Sequence, residues 1–149
     1  MVIQIDGNSL SFEEIRKVIG QDAIVQINEE SWRNVERSRA VVEKHIAEGN
    51  VIYGVNTGFG KFSDTVISSE EVENLQINLI RSHACAVGEP FPESVSRVML
   101  LLRANALVKG YSGIRKETLQ LLVDCLNNGV HPVIPSQGSL GASGDLAPL

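Results

Sequence analysis

Three small residues near the end of the chain, Ala142, Ser143 and Gly144, have the types and order needed to build an electrophile from backbone atoms. The Ala142 carbonyl is unshielded, and Gly144 has no side chain that would prevent its nitrogen from folding back onto that carbonyl. If a five-membered ring closes there and the Ser143 hydroxyl leaves as water, an exposed methylene remains. By composition alone, the same residues also suit an ordinary Ser-Gly turn.

Two further side chains, Tyr53 and His83, have types suited to acid–base or binding chemistry. Tyr53 precedes Gly54 in a glycine-rich loop, where a phenol can face a cleft as an acid or a base. His83 lies four residues after Leu79 on the same predicted helical face, where an imidazole can donate or accept a hydrogen bond. Each also has a structural interpretation: a packed tyrosine with a satisfied hydroxyl, and a core-edge histidine bonded to backbone.

The spacing disfavours two other kinds of site. Gly58 and Gly60 lack the third glycine of a dinucleotide-binding loop, because Ser63 stands in its place. The sequence has no His-Glu-x-x-His motif, and His83 and Cys85, two residues apart, would point to different sides of a helix. We therefore expect neither a nucleotide nor a metal cofactor.

The elements that must position these groups are predicted to be mainly helical, with small strand elements and glycine-rich loops. Apolar segments at residues 2–5 and 23–27 predict two strands, which can pair. Between them, Ser11 and Glu14 have the spacing of a capping box, and Gly20 is predicted as the glycine that ends this short helix. Apolar periodicity and end signals predict later helices at residues 28–49, from 68 onward, at 93–109 and at 115–127.

Some segments carry a more specific expectation. The helix at residues 93–109 is apolar on nearly all sides, which predicts a buried helix. Residues 125–144 carry no charge and lack periodicity, which predicts a buried loop with a functional role. A helix start at Ser143 or Asp145 would fall just before Leu149, so we expect a piece of a longer protein.

Composition indicates a mildly acidic globular protein of 149 residues with 43% hydrophobic content. Thirteen Lys and Arg against eighteen Asp and Glu give a net charge of −5, without the basic stripe that nucleic acid requires. The aliphatic run at residues 98–102 is too short to span a membrane, and the first residues lack the pattern of a secretory leader. Two cysteines do not make a disulfide framework. We expect a cytoplasmic protein.

Several segments together resemble one family. The segment GSLGASGDLAPL at residues 138–149 resembles the signature of the aromatic amino acid ammonia-lyases, which build 4-methylidene-imidazol-5-one (MIO) from Ala-Ser-Gly. YGVNTGFG at residues 53–60 resembles the catalytic tyrosine loop of this family, and Ser82-His83 resembles its substrate-selecting pair. LLLRANAL at residues 100–107 and HPVIP at residues 131–135 also match family stretches.

The resemblance implies both an architecture and a reaction. Residues 1–149 would be the N-terminal, MIO-bearing region of a longer chain whose C-terminal helical bundle is absent and whose intact form is a homotetramer. The implied reaction removes ammonia from L-histidine to give trans-urocanate, the first step of histidine degradation, because phenylalanine-specific members carry an apolar pair in place of Ser82-His83. On its own, this region is expected to be inactive.

The same resemblance implies roles for individual residues. The substrate amine is captured by the MIO ring formed from residues 142–144, which improves nitrogen as a leaving group. Tyr53 removes the β-proton as a phenolate, and His83 contacts the substrate imidazole. Asp145, next to the ring, supports its geometry.

Two other functions stay open at this point. A tyrosine or phenylalanine ammonia-lyase, or an aminomutase, would share the prosthetic group, and a histidine beside a different neighbour also serves tyrosine selectivity. Ser82 before His83 favours histidine. A non-catalytic helical interaction module, in which the tail is only a turn, would have no MIO.

Overall fold

The computed structural model of the chain describes residues 1–58, 67, 69–138 and 147. Within these ranges the fold is mainly helical, as predicted, and none of the helices is long and apolar enough to cross a membrane. The elements, in chain order, are β1 (Val2–Ile5), α1 (Phe12–Ile19), β2 (Ile24–Ile27), α2 (Glu29–Ala47), α3 (Ser69–His83), β3 (Val87–Pro90), α4 (Glu93–Leu107), α5 (Lys116–Asn127) and β4 (Pro135–Gln137).

The chain divides into two compact units. Unit 1 comprises Met1–Val42 and Phe91–Val133, and it contains β1, α1, β2, α4, α5 and most of α2. Unit 2 comprises Glu43–Pro90 and Ile134–Leu149, and its described part contains α3, β3 and β4.

Strands β1 and β2 form a parallel pair that is in register along its length, with α1 as the connection. Side-chain alternation directs Ile3, Ile5 and Val25 into the core, where each is at most 2% exposed. Asn127, the last residue of α5, accepts a hydrogen bond from the Val25 amide and donates one to the Val25 carbonyl, both at 2.8 Å. The predicted strand pair is confirmed. The side chain at the end of α5 satisfies both backbone groups of Val25 in β2.

Helix α1 begins at the predicted capping box. The Ser11 hydroxyl accepts from the Glu14 amide at 3.4 Å, and the Glu14 carboxylate accepts from the Ser11 amide at 2.8 Å. The helix ends at Gly20 as predicted; this glycine has a right-handed φ of −72°, and the positive φ, of 63°, falls on Gln21. A Cβ at position 20 would lie 2.9 Å from the Asp22 carboxylate, so glycine relieves a contact there.

Helix α2 begins at Glu29, directly after Asn28, whose side-chain oxygen accepts from the backbone amide three residues later at 2.7 Å. The turn between α4 and α5 packs against this helix. A Cβ at Gly110, where φ is +74°, would lie 2.6 Å from the carbonyl carbon of Asn34. Gly113 donates its amide to the Ser38 hydroxyl at 3.0 Å. A close contact with α2 therefore explains the first glycine of this turn.

The core of unit 1 lies among its two strands and four helices. Helix α4 contributes Leu101 and Ala104, both fully buried, but its Leu102 is 46% exposed. The prediction of a helix buried on all sides is therefore wrong, since an apolar sequence does not by itself supply a partner for the second face. The buried core residues are Ile3, Ile5, Val18, Val25, Val35, Leu101, Ala104, Val108, Leu119, Val123 and Leu126.

Arg97 of α4 is buried within this core, with 4% of its surface exposed. Its guanidinium donates to the Val18 carbonyl at 2.7 Å and to the Leu126 carbonyl at 3.4 Å. These carbonyls belong to the last turns of α1 and α5, where the helix dipole places partial negative charge. Its Nε has no hydrogen-bond partner among the described atoms. One cation therefore serves the C-terminal ends of two helices.

In unit 2, β3 and β4 pair antiparallel, with Val87 opposite Gln137 and Pro90 opposite Pro135. Neither strand was expected from the sequence, because each is short and contains proline or glycine. Helix α3 begins at Ser69, and position 68, where the sequence predicts the start of this helix, lies outside the described residues.

The uncharged segment at residues 125–144 is described as far as residue 138. There the prediction of a buried loop is wrong: Val130 is 58% exposed and Val133 is 77% exposed, although Ile134 is buried. An uncharged segment is buried only where other residues pack over it. In the described part of the chain, no residues cover Val130 and Val133.

Replacement of Arg97 by methionine should lower the free energy of unfolding by about 2–4 kcal/mol, because two buried helix-end carbonyls lose a charged donor. Arg97→Lys should recover only part of this loss, since one ammonium is less able than a guanidinium fork to serve both carbonyls. The matched control is Arg103→Met, an exposed arginine on the same helix, which should change stability by less than about 0.5 kcal/mol. Equal effects of Arg97→Met and Arg103→Met in urea unfolding would contradict the role given to Arg97.

The capping box predicts a pH effect at Glu14. Hydrogen bonds from the Ser11 side chain and backbone lower the pKa of the Glu14 carboxyl below 4.5. Because the folded pKa is the lower one, the stabilisation is present above about pH 4.5 and is lost as the pH falls through the folded pKa. Ser11→Ala should raise the pKa of Glu14 towards its ordinary value.

An NMR titration of the carboxyl groups measures this change, with Asp6 as an internal control. The pKa of Asp6 is lowered mainly by the backbone amides of Asn8 and Ser9, so it should stay low in Ser11→Ala. If Glu14 titrates identically in both proteins, the box does not set its pKa.

Candidate active site

The structure describes two of the predicted site residues, Tyr53 and His83, and both belong to unit 2. Tyr53 lies in the loop after α2, and His83 is the last residue of α3. The predicted residues outside the described ranges are Ala142, Ser143, Gly144 and Asp145.

The loop that carries Tyr53 is braced by one asparagine. The side-chain oxygen of Asn56 accepts from the Ile52 amide at 2.8 Å, and its side-chain nitrogen donates to the Asn50 carbonyl at 2.9 Å. The Asn56 carbonyl accepts from the Ile67 amide at 3.0 Å. One residue therefore bonds to the chain before and after the tyrosine.

A second set of bonds forms the turn itself. Gly54 has a φ of +74°, a left-handed conformation that glycine adopts without a Cβ penalty. Its amide donates to the Thr57 hydroxyl at 3.2 Å, and that hydroxyl donates to the Gly58 carbonyl at 2.9 Å. Thr57 is fully buried, so the side chain that bonds to both ends of the turn has no contact with solvent.

Tyr53 itself is 62% exposed. A phenol on a turn fixed by side-chain hydrogen bonds can meet an incoming ligand without rearranging the backbone. This exposure differs from that of a tyrosine packed in a core.

His83 is held at the C-terminal end of α3 by polar contacts to its own helix. Its Nδ1 lies 2.9 Å from the Leu79 carbonyl oxygen and 2.9 Å from the Ser82 hydroxyl. The Ser82 hydroxyl donates to the same Leu79 carbonyl at 2.8 Å. The histidine is therefore bonded to backbone, as the structural interpretation expected, but it is exposed rather than at a core edge. Its Nε2 is the ring nitrogen that these contacts leave unused.

The described residues contain no group of three or more His, Cys, Asp or Glu side chains that could hold a metal ion. Cys85, near His83, is an exposed free thiol whose sulfur donates to the His83 carbonyl at 3.6 Å.

Asn56 and Thr57 lie within the tyrosine motif, but the sequence pattern assigns neither of them a role. The signal was present, since Asn and Thr beside a glycine are the residues whose short side chains bond to nearby backbone. Their partners, four or more residues away in the case of Asn56, become visible only in the structure.

A family model described as aromatic amino acid lyase matches residues 10–149. Proteins named histidine ammonia-lyase from Geobacillus sp. (strain WCH70) and Bacillus subtilis (strain 168) are 60% and 56% identical over 148 residues, which is 99% of this chain. The chain spans 29% of the length of these two relatives.

The chain is also similar to solved structures. The crystal structure of histidine ammonia-lyase from Trypanosoma cruzi matches with a TM-score of 0.88 at 41% identity, covering 99% of this chain and 28% of that one. Tyrosine aminomutase from Streptomyces globisporus matches with a TM-score of 0.88 at 36% identity and the same coverage.

The bonding of the tyrosine loop predicts two separable changes in hydrogen exchange. Asn56→Ala should speed exchange of the Ile52 amide roughly fivefold, which corresponds to a hydrogen bond of about 1 kcal/mol. The Gly54 amide should be less affected, because its acceptor is Thr57. Thr57→Val should produce the reverse pattern.

Exchange resolved to single amides measures both effects, and each variant is the control for the other. If both amides respond equally to both substitutions, the loop opens as one unit and the separate roles of Asn56 and Thr57 are wrong.

Proposed function

The chain belongs to the aromatic amino acid lyase family, and from this premise we propose that the full-length protein eliminates ammonia from L-histidine to give trans-urocanate. The observation that carries the proposal is 60% identity, over 99% of the chain, to a protein named histidine ammonia-lyase. The imidazole of His83 at the end of α3 supports this substrate, because it can hydrogen-bond to a second imidazole.

The prosthetic group proposed for this reaction is MIO, formed from Ala142, Ser143 and Gly144. The chemistry of the three residues fits: a small side chain leaves the carbonyl open, glycine frees the nitrogen, and serine supplies the leaving hydroxyl. The chain enters this segment from β4, whose pairing with β3 anchors it as far as Gln137. Once formed, the group supplies an electrophile for the substrate amine. Asp145 is proposed to support its geometry.

Tyr53 is proposed as the base that removes the β-proton of the substrate. The support for this role is its place on a turn fixed by Asn56 and Thr57, where the residue is 62% exposed. Positioning of this kind matters because proton transfer needs the base within hydrogen-bond reach of the proton it takes. His83 is proposed to orient the substrate ring, so that the β-carbon is presented in a single pose.

The proposal extends to the whole protein, of which this chain corresponds to a 29% share in the relatives. We propose a cytoplasmic homotetramer in which residues 1–149 form the N-terminal, MIO-bearing region and a C-terminal helical bundle completes the pocket. The isolated region is accordingly expected to be inactive towards L-histidine, since the remaining groups that hold the substrate lie elsewhere.

A second candidate has its own supporting observation. The chain matches tyrosine aminomutase from Streptomyces globisporus at 36% identity and a TM-score of 0.88. An aromatic amino acid other than histidine is therefore the alternative substrate. Incubation of the full-length protein with L-histidine, L-tyrosine and L-phenylalanine distinguishes them, because release of urocanate from L-histidine is specific to the first proposal.

The intact full-length protein should lack the mass of two waters, one lost in ring closure and one from the Ser143 hydroxyl. Ser143→Ala cannot lose the second water, and urocanate formation should fall by at least about a thousandfold. The control is Ser136→Ala in β4, which should keep the mass deficit and the activity. A full-mass wild-type protein, as expected of a non-catalytic module, or an active Ser143→Ala variant would contradict the proposal.

Tyr53→Phe deletes only the ionisable oxygen, so kcat for L-histidine should fall by about 10²-fold or more while KM changes much less. Steady-state kinetics on the full-length protein measure both. Tyr111→Phe is the matched control, because Tyr111 is the other tyrosine of the chain and is 90% exposed. A loss confined to KM would make Tyr53 a binding residue instead of the base.

A further inference from the structure

Three atoms at the end of α3 form a closed set of hydrogen-bond distances. They are the Leu79 carbonyl oxygen, the Ser82 hydroxyl oxygen and the His83 Nδ1, separated by 2.8, 2.9 and 2.9 Å. Each distance is short enough for a hydrogen bond. The protons available to this triangle therefore determine which form of the imidazole it holds.

The Leu79 carbonyl decides the proton position, because a carbonyl oxygen can only accept. At 2.9 Å from it, Nδ1 must carry a hydrogen, since an unprotonated Nδ1 would direct its lone pair at the oxygen. The Ser82 hydroxyl then donates to Leu79 and offers its own lone pair to the Nδ1 hydrogen. Every proton in the triangle is accounted for in this arrangement. In neutral imidazole, Nε2 is left as an acceptor.

Ser82 has a different task from Leu79. Its hydroxyl can donate or accept, so it does not choose the tautomer by itself. It does bridge the carbonyl and the ring, and so holds an exposed imidazole in the one orientation in which the carbonyl acts on Nδ1. Without this bridge the ring is free to turn to solvent, where no carbonyl biases its proton.

We propose that Ser82 is a positioning residue that holds His83 against the Leu79 carbonyl, fixes the ring proton on Nδ1 and leaves Nε2 as an acceptor for a ring N–H of the substrate. This inference rests on the proposed function, because it assigns the substrate ring to His83. It adds a chemical rule for specificity. A ring that donates a hydrogen bond is bound, and a ring of similar size that can only accept one is rejected.

The tautomer can be measured without reference to activity. Solid-state 15N NMR of the full-length protein, labelled at histidine, separates protonated from unprotonated ring nitrogens, and His83→Asn assigns the signals. At about pH 9, above the usual titration range of histidine, His83 should show a protonated Nδ1 and an unprotonated Nε2. Ser82→Ala should add a population with the proton on Nε2, and Ser82→Thr, which keeps the hydroxyl, should restore the wild-type pattern.

The functional consequence is tested by a ratio of kcat/KM for two substrates. L-histidine offers a ring N–H, whereas β-(4-pyridyl)-L-alanine carries a ring nitrogen that only accepts. Ser82→Ala should lower the preference for L-histidine about tenfold, the equivalent of one hydrogen bond, and Ser82→Thr should retain it. Asn78→Ala, an exposed polar residue on the same helix, is the control and should leave the ratio unchanged.

The outcomes separate this inference from the proposed function. A wild-type His83 with its proton on Nε2, or a Ser82→Ala variant with unchanged tautomer and unchanged ratio, would overturn the inference even if L-histidine is the substrate. A full-length protein that fails to release urocanate, yet shows the Nδ1 proton and its dependence on Ser82, would support the inference for His83 and overturn the proposed substrate.

Discussion

The guanidinium of Arg97 is the point at which three helices of unit 1 are joined. It projects from α4 and donates to the last turns of α1 and α5, through the carbonyls of Val18 and Leu126. A buried cation is costly unless it is hydrogen-bonded, and the negative ends of two helix dipoles supply that compensation. The arrangement tolerates little variation, because a shift of either helix leaves the charge or a carbonyl without its partner.

The rest of unit 1 is organised around this constraint. The residue after Leu126 is Asn127, whose side chain bonds both backbone groups of Val25 in β2. The end of α5 is therefore attached on one side to the cation and on the other to the strand pair. Apolar burial supplies the bulk of the stabilisation, whereas these polar bonds, made to single named atoms, decide which packing of the helices satisfies all groups.

In unit 2, the proposed site residues are exposed and their surroundings are fixed by local hydrogen bonds. Tyr53 and His83 are both exposed. Asn56 and Thr57 bond to the backbone on either side of the tyrosine, and the His83 ring contacts Leu79 and Ser82. The hydrogen bonds limit the orientations of the His83 ring and of the backbone that carries Tyr53. Such local fixing lets a site be precise without burying its functional groups.

Local interactions explain what the sequence by itself determined. The capping box of Ser11 and Glu14 depends on residues close in the chain, and the helices follow from apolar periodicity. The family was recognisable because its motifs are continuous in sequence, as are the residue types of the proposed site.

Contacts between distant residues were decided only by the tertiary structure. The sequence did not indicate that Val87 lies opposite Gln137, that Arg97 is buried, or that one face of α4 is exposed. The sequence motif indicated His83 as a site residue, but it did not indicate that the ring contacts the Leu79 carbonyl oxygen. The physical reason is that hydrogen-bond partners and burial depend on which surfaces meet in space, and a linear pattern specifies the surfaces without specifying their partners.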